Sequence, residues 1–274
     1  GYAKNIRALR KCITRINPDL IHAHYSLCGM ISFIASGSHP VITSLMGSDI
    51  YDANLILRKS LTLFCRYFWK VVIVKSEQMF NRLRQPNCIV IPNGVDTKVF
   101  RPIDRDLALR LLGWDASLHH LLFASDPARN EKNYLLAEQA IEILKQEPVK
   151  FQVHFLKNID RSEMYLYYNA ASVLLMSSFS EGSPNSIKEA MACNCPIVST
   201  DVGDVKWIIS SIHGCYLTST DAHDYSACIK LALDFAGNAG RTKGRERIIG
   251  IGLDSNVIAE RLYKVYATTL GIEP

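Results

Sequence analysis

Short unbroken apolar runs alternate along this chain with stretches of helical period, and that alternation limits the folds open to it. Val71-Val72-Ile73-Val74 and Val173-Leu174-Leu175-Met176, the centre of Ser172–Ser177, are the plainest. Others fall at Asp19–His24, Val41–Leu45, Cys88–Ile91, Leu121–Ser125, Lys150–Leu156, Pro196–Thr200 and Cys215–Leu217. A strand buried on both faces reads as a continuous run, and strands separated by helices pair in parallel. Helices are expected at Ala3–Ile13, Asn54–Trp69, Asn133–Lys145, Arg161–Asn169, Pro184–Ala192, Ala222–Ala236 and Val257–Leu270. The expectation is an α/β fold of parallel sheets covered on both faces, with ligands bound beyond the carboxyl ends of the strands. The loop Ser178–Ser183 falls at such an end.

At 274 residues the chain is long enough for two domains, each with its own core. The clearest boundary is Ile91-Pro92-Asn93-Gly94-Val95-Asp96 through Phe100-Arg101-Pro102, where two prolines and an Asn-Gly turn interrupt every period. The expected division is residues 1–95, residues 96–254, and a final helix at 255–274 that packs back toward the first domain. The segment 237–252 reads as Gly-rich and charged. Because the sequence opens on Gly1 with a helix already under way, the first domain is expected to be incomplete.

Composition excludes several classes. A chain 48% hydrophobic and 21% charged is globular rather than disordered. It holds no apolar run near the ~20 residues that span a bilayer, and no secretory signal. The eight cysteines are scattered through apolar segments, which suits buried thiols in the reducing cytosol rather than a disulfide framework or a zinc site. Residues 1–102 hold 14 Lys and Arg against 5 Asp and Glu, while the rest holds 17 against 21. That basic first half suggests an anionic partner such as a membrane surface at the inner face, a lipid phosphate or a charged glycan. Nucleic acid is not expected, since no basic run interleaved with aromatics appears. The helix over 55–69 carries Arg58, Lys59, Arg66 and Lys70 beside Phe64, Phe68 and Trp69. It is read as packed on the core with a basic outer face, a reading compatible with membrane contact.

One loop carries candidate chemistry. In Glu181-Gly182-Ser183-Pro184-Asn185-Ser186-Ile187-Lys188-Glu189, Ser183 is a candidate N-cap and Pro184 suits the first helical position. The N–H groups of Asn185, Ser186 and Ile187 would then face an anion, with phosphate the usual one. Asn185, Ser186 and Glu189 share one helix face, so Glu189 stands one turn beyond the phosphate, placed to accept from sugar hydroxyls. Glu181 faces its other side. The arrangement suits a sugar–diphosphate–sugar ligand. A solvated Glu181, and an exposed Glu189 with Lys188 beside it, is the competing reading on this segment alone.

With these elements in place, the chain resembles the retaining glycosyltransferases of the GT-B fold, family 4. Pro18–His24, Met46-Gly47-Ser48-Asp49, Ile91–Asp96 with Phe100-Arg101-Pro102, and Glu131-Lys132-Asn133 carry the likeness. So do Glu181–Ala190, Pro196-Ile197-Val198 and Asp201-Val202-Gly203. The resemblance implies two Rossmann-like domains facing across a cleft, and transfer of a hexosyl unit from a nucleotide-sugar to a glycan or lipid-linked acceptor. It implies retention of configuration and no metal or other cofactor. It makes Glu181, Lys132 and Arg129 the catalytic group, with Glu181 on the donor sugar. Gly182, Ser183, Asn185, Ser186, Ile187 and Glu189 become the donor-binding set, with Glu189 on the ribose. Gly47, Ser48 and Asp49 line the acceptor side.

The sequence departs from the family pattern at two places. Where the family usually has an arginine ahead of the phosphate lysine, this chain has Asp126 and Pro127, leaving Arg129 as the substitute. Met46 stands where many members have histidine, and a thioether neither donates nor titrates. Asp104-Arg105-Asp106 matches a metal-binding letter pattern but sits in the linker and is read as accidental. His22 and His24 are read as structural rather than as acceptor contacts. A nucleotide-sugar epimerase, a phosphorylase and a catalytically silent nucleotide-sugar-binding module are the alternatives weighed. A phosphorylase needs a cofactor lysine and a longer chain, an epimerase has no use for the basic first half, and intact Glu181 and Glu189 argue against the silent module.

Overall fold

The computed structural model describes residues 2–51 and 54–273. It divides into two compact units, one of residues up to Asn93 together with those from Val257 on, the other Gly94–Asn256. Gly1 and Pro274, the outer ends of the expected domains, lie outside the described residues.

The first unit begins with a 3-10 turn that leads into α1 (Ile6–Ile16). Its sheet runs β1 (Ile21–His24), β2 (Val41–Ser44), β3 (Val71–Val74), β4 (Cys88–Val90), all parallel and in sequence order. Between strands come α2 (Ser26–Ser36), a one-turn α3 (Ser48–Tyr51), α4 (Leu55–Tyr67) and α5 (Glu77–Leu83). Local chemistry sets the helix starts: Asn54 caps α4 by accepting from the Leu57 N–H at 2.9 Å, and Ser76 caps α5 from Met79. Val41, Leu45, Leu61, Cys65, Trp69, Val72 and Met79 fill the core. On α4, Leu61 and Cys65 point inward while Leu55, Ile56, Leu63 and Tyr67 stand exposed among Arg58, Lys59 and Arg66. The helix therefore packs on the core and presents a mixed basic and apolar outer face.

The second unit holds β5 (His119–Phe123), β6 (Phe151–Phe155), β7 (Val173–Met176), β8 (Ile197–Thr200) and β9 (Cys215–Thr218). They form one parallel sheet in the order β6-β5-β7-β8-β9. Around it lie α6 (Arg105–Leu112), α7 (Tyr134–Leu144), α8 (Met164–Ala170), α9 (Asn185–Ala192), α10 (Val205–Ile209), α11 (Ala222–Asn238) and α12 (Gly244–Gly250). The last helix, α13 (Ser255–Leu270), starts where Val95 and Asp254 form a parallel bridge. Tyr225, Ile229 and Leu233 of α11 and Ala137 and Ile141 of α7 close over Leu121, Phe123, Val173 and Leu175.

Every expected strand forms, with one shifted. β5 starts at His119, two residues before the apolar run, because His120 can be buried: its Nδ1 meets His154 Nε2 at 2.9 Å and its Nε2 meets the Asp115 carbonyl at 2.9 Å. Trp114 stacks on His154 with centroids 3.5 Å apart. The charged segment at 237–252 contains α12, a helix that its composition hides. Arg245 ties it inward, donating to the carbonyls of Phe100 and Thr97 at 2.9 and 2.8 Å. Gly244 is needed there, since a Cβ would lie 2.7 Å from the Met191 carbonyl. Asp104 of the Asp-x-Asp pattern serves its own helix, capping α6 by accepting from the Leu107 N–H at 2.8 Å. No helix among the described residues is long and apolar enough to cross a membrane.

Candidate active site

From β5 the chain moves to β6 on one side, then returns to place β7 on the other side of β5. In open parallel sheets the crevice at such a reversal, outside the carboxyl strand ends, is where ligands bind. The loops after β5 and β7 meet there. Ser177 Oγ donates to the carbonyls of Lys132 and Asn133 at 3.1 and 2.8 Å, and the Phe179 N–H to the Glu131 carbonyl at 3.1 Å. The loop after β8 joins them, with Thr200 Oγ1 donating to the Ser178 carbonyl at 2.9 Å.

At this junction Lys132 Nζ lies 2.5 Å from Glu181 Oε1, and Ser178 Oγ donates to the same oxygen at 2.9 Å. Both charged side chains are only partly accessible, 19% and 15%. Arg129 does not join them. Its guanidinium pairs with Glu131 two residues on, and more than half of its side chain is in solvent.

Beyond Glu181 the loop runs into α9, and here the structure corrects two expectations. Pro184, not Ser183, occupies the N-cap, and α9 starts at Asn185. Ser183 Oγ accepts from Lys188 Nζ and donates to Asp204. Lys188, beside Glu189 in sequence, is wholly buried. With a proline cap that offers no side-chain acceptor, helix geometry leaves the N–H groups of Asn185, Ser186 and Ile187 outside the intrahelical ladder. They stand at the carboxyl end of β7, an anion-binding arrangement.

Glu189 is buried rather than exposed. Tyr168 Oη donates to its Oε2 at 2.8 Å, and Arg161 Nη2 reaches its Oε1 at 3.2 Å from a side chain 67% exposed. Arg161 also lies over the Phe100 ring. Burial pushes the Glu189 carboxyl above its ordinary value, and the Tyr168 bond, then Arg161 and Lys188, pull it back. A carboxylate offers about four lone-pair directions. With one partner on each oxygen among the described residues, Glu189 keeps room for two hydroxyl donors if the exposed Arg161 side chain moves aside.

The first unit's expected site residues divide. Ser48 is exposed and Gly47 buried. Asp49 is fully buried and points inward, against the expectation that it lines a cleft. Its Oδ1 accepts from the Met46 and Gly47 N–H groups at 2.9 and 3.0 Å, its Oδ2 from the Ser26 N–H at 3.0 Å. Asp49 therefore ties the loop after β2 to the start of α2. His22 bridges Tyr266 Oη at 2.6 Å and Ser44 Oγ at 2.8 Å, and burial holds its pKa down to about 4. That is a structural histidine, as read from the sequence.

Sequence reasoning missed Tyr168, Arg161 and Asp204. Tyr168 and Arg161 lie in the expected helix segment 161–169, but nothing in their spacing points to Glu189. Asp204 sits just past the Asp201-Val202-Gly203 likeness, where its neighbourhood was the available signal.

Residues 2–99 match the family model for Glycosyltransferase Family 4, and residues 118–234 match that for Glycosyl transferases group 1. Among curated proteins the chain is 24% identical to the D-inositol 3-phosphate glycosyltransferase of Geodermatophilus obscurus, over 78% of this chain and 59% of that protein. It is 25% identical to the putative teichuronic acid biosynthesis glycosyltransferase TuaC of Bacillus subtilis, over 69% of this chain and 54% of that one. The chain thus spans between half and two thirds of the length of these relatives. Among solved structures, sucrose-phosphate synthase from Thermosynechococcus elongatus superposes with a TM-score of 0.79 at 20% identity, covering 98% of this chain and 78% of that one. Anabaena HepE in complex with UDP-glucose gives 0.75 at 15% identity, covering 97% and 82%. These likenesses place the fold in the GT-B class.

Proposed function

We propose that this chain, a glycosyltransferase of group 1 and family 4 by its two matched regions, transfers a hexosyl unit from a nucleoside-diphosphate sugar to a glycan or lipid-linked acceptor with retention of configuration. The carrying observation is the reversal point of the second sheet, where Lys132 and Glu181 meet beside the open start of α9 and Glu189 follows one turn on. In this reading the N–H groups of Asn185, Ser186 and Ile187 bind the diphosphate, with Gly182 and Ser183 shaping the turn above them. Glu189 takes the ribose hydroxyls. Lys132 leaves Glu181 for the departing phosphate, and the freed Glu181 carboxylate contacts the donor sugar. A helix start and a lysine offset the leaving-group charge without a metal ion. Arg129 reaches this site only by giving up Glu131, so Lys132 carries the larger part.

A donor that is a nucleoside-diphosphate sugar is also supported by the UDP-glucose bound to the HepE relative in fold. A lipid-linked acceptor agrees with a relative named for transfer to a diphospho-undecaprenol glycan, 31% identical over 42% of this chain. The exposed Leu55, Ile56, Leu63 and Tyr67 among the cations of α4 suit peripheral contact with an anionic membrane, from the cytoplasmic side.

The test is a donor screen that follows nucleoside-diphosphate release, with calorimetry on two variants. Glu189→Ala is expected to weaken nucleotide binding, and Glu181→Ala to slow transfer while leaving binding nearly intact. Nucleotide affinity unmoved by Glu189→Ala would sink the site assignment. Binding without any release would leave the silent binding module as the reading.

A further inference from the structure

Lys188 takes no part in the transfer just described, yet its whole side chain is buried beneath the donor loop. Its ammonium donates to Ser183 Oγ and lies 3.8 Å from Asp204 Oδ2, and Ser183 Oγ donates to that same carboxylate at 2.5 Å. Asp204 is also buried, with its other oxygen, Oδ1, lacking a hydrogen-bond partner among the described residues. A second contact joins the same two loops. Gly203 sits at φ +60°, and a Cβ there would lie 2.8 Å from the carbonyl oxygens of both Glu181 and Gly182. The loop after β8 thus meets the loop after β7 through bare backbone at Gly203 and through the Ser183 hydrogen bond at Asp204, whose ion pair reaches Lys188 in α9.

This pair is a poor device for stability alone. Both ions lose their hydration, and a cation in the first turn of a helix opposes the helix dipole. An apolar pair of the same volume would fill the space without either cost. What an apolar pair cannot do is hold a hydroxyl in one place. Ser183 stands two residues after Glu181 and immediately before the Pro184 cap, so its position sets how far the Glu181 carboxylate lies from the open N–H groups of α9.

We propose that Lys188 is a positioning residue whose ammonium, held by Asp204, anchors Ser183 and so fixes the Glu181–Asn185 turn in the shape that receives the donor's diphosphate. The proposal rests on the donor-site reading above. It assigns Lys188 and Asp204 to the phosphate end of the ligand and gives them no share in holding the nucleoside.

The test compares UDP with uridine, and GDP and ADP with their nucleosides, by calorimetry on the wild-type chain, Lys188→Met/Asp204→Asn and Ser183→Ala, with thermal melts on each. The double variant removes both charges together, so no unpaired ion is left buried. It is expected to melt cooperatively and bind the nucleoside as wild type does, while the diphosphate binds about tenfold weaker or more, the loss typical of a hydrogen bond to a charged group. Ser183→Ala leaves the ion pair in place and is expected to show the same selective loss, which keeps the test open if the double variant does not fold. Unchanged diphosphate affinity in a folded variant of either kind overturns the proposal, as does an equal loss for nucleoside and diphosphate. A wild-type chain that binds none of the three diphosphates fails the donor-site reading itself, a different result.

Discussion

Tyr168→Phe probes the charge on Glu189 with almost no change in packing. Tyr168 is wholly buried, its ring meets Phe100 at 6.0 Å between centroids, and only its hydroxyl touches the carboxylate, at 2.8 Å. Phenylalanine keeps the ring and removes one charge-assisted bond, a loss of about 1.5–3 kcal/mol. The remaining partner, Arg161, is 67% exposed, and pairs of that kind contribute less than ~1 kcal/mol. Without the hydroxyl, the Glu189 carboxyl rises further above its ordinary value, because burial still pushes it up and one of the contacts that pulls it back is gone. The sign follows from linkage. A carboxyl whose folded pKa is raised stabilises the fold when protonated, and that contribution is lost as pH rises from the unfolded to the folded pKa. The variant's deficit is therefore full near neutral pH and shrinks in acid. At roughly 2–4 °C per kcal/mol for a chain of this order, the melting temperature should fall by about 3–12 °C near pH 8. Melts followed by circular dichroism from about pH 4 to about pH 8 measure it. A deficit of the same size at both ends of that range, or none at all, refutes a bond to an ionised, buried Glu189.

Two further outcomes follow from other contacts. Gly203→Ala places a side chain at positive φ against two carbonyl oxygens, so a stability loss of about 1–3 kcal/mol is expected, together with weaker nucleotide binding. Denaturant titration and calorimetry read both, and a variant that melts and binds like wild type removes the close approach from the account. Burial, then His120, hold His154 down to about 4 against an ordinary value of 6.5. The unfolded chain therefore binds more protons between these values, and stability should rise with pH across that window. His154→Phe keeps a ring against Trp114 and should flatten this rise in denaturant titrations at successive pH values; a slope as steep as wild type's contradicts it.

The strands were legible because burial on both faces leaves a one-dimensional signature, as at Val71–Val74 and Val173–Met176. The linker was legible because Pro92, Asn93 and Gly94 act on their own backbone. What escaped was decided by partners far along the chain. His119 and His120 look like poor strand starts until His154 and Trp114 are beside them. The segment holding Gly244 and Arg245 reads as loop because its helix depends on Thr97, Phe100 and Met191. In the site, Glu181 and the presence of a helix after it follow from local pattern, while Lys132 came from the family resemblance and the cap of α9 was set one residue too early. The burial of Lys188 is not legible because charge suggests exposure unless a counter-ion is known, and Asp204 lies 16 residues away on the loop after β8. Asp49 was misplaced for the same reason, since its three N–H partners come from two separate turns.

The bridge between Val95 and Asp254 bears on the order of folding. The Val95 N–H donates to the Leu253 carbonyl and the Ser255 N–H to the Val95 carbonyl, both at 2.9 Å, so the second unit brings its own two ends together. The first unit also takes in the residues from Val257 on, joined to the rest of that unit through a stretch of about 160 residues. Closing so long a flexible loop costs on the order of 4–5 kcal/mol of chain entropy. If Gly94–Asn256 folds first, nearly all of that cost is met inside the second unit, and α13 needs only a short step to reach Val90 and His22. The reverse order has no such shortcut. The interrupted unit is thus expected to be the late partner in refolding, with its His22–Tyr266 and Arg261–Val90 contacts forming after the sheet of the continuous one.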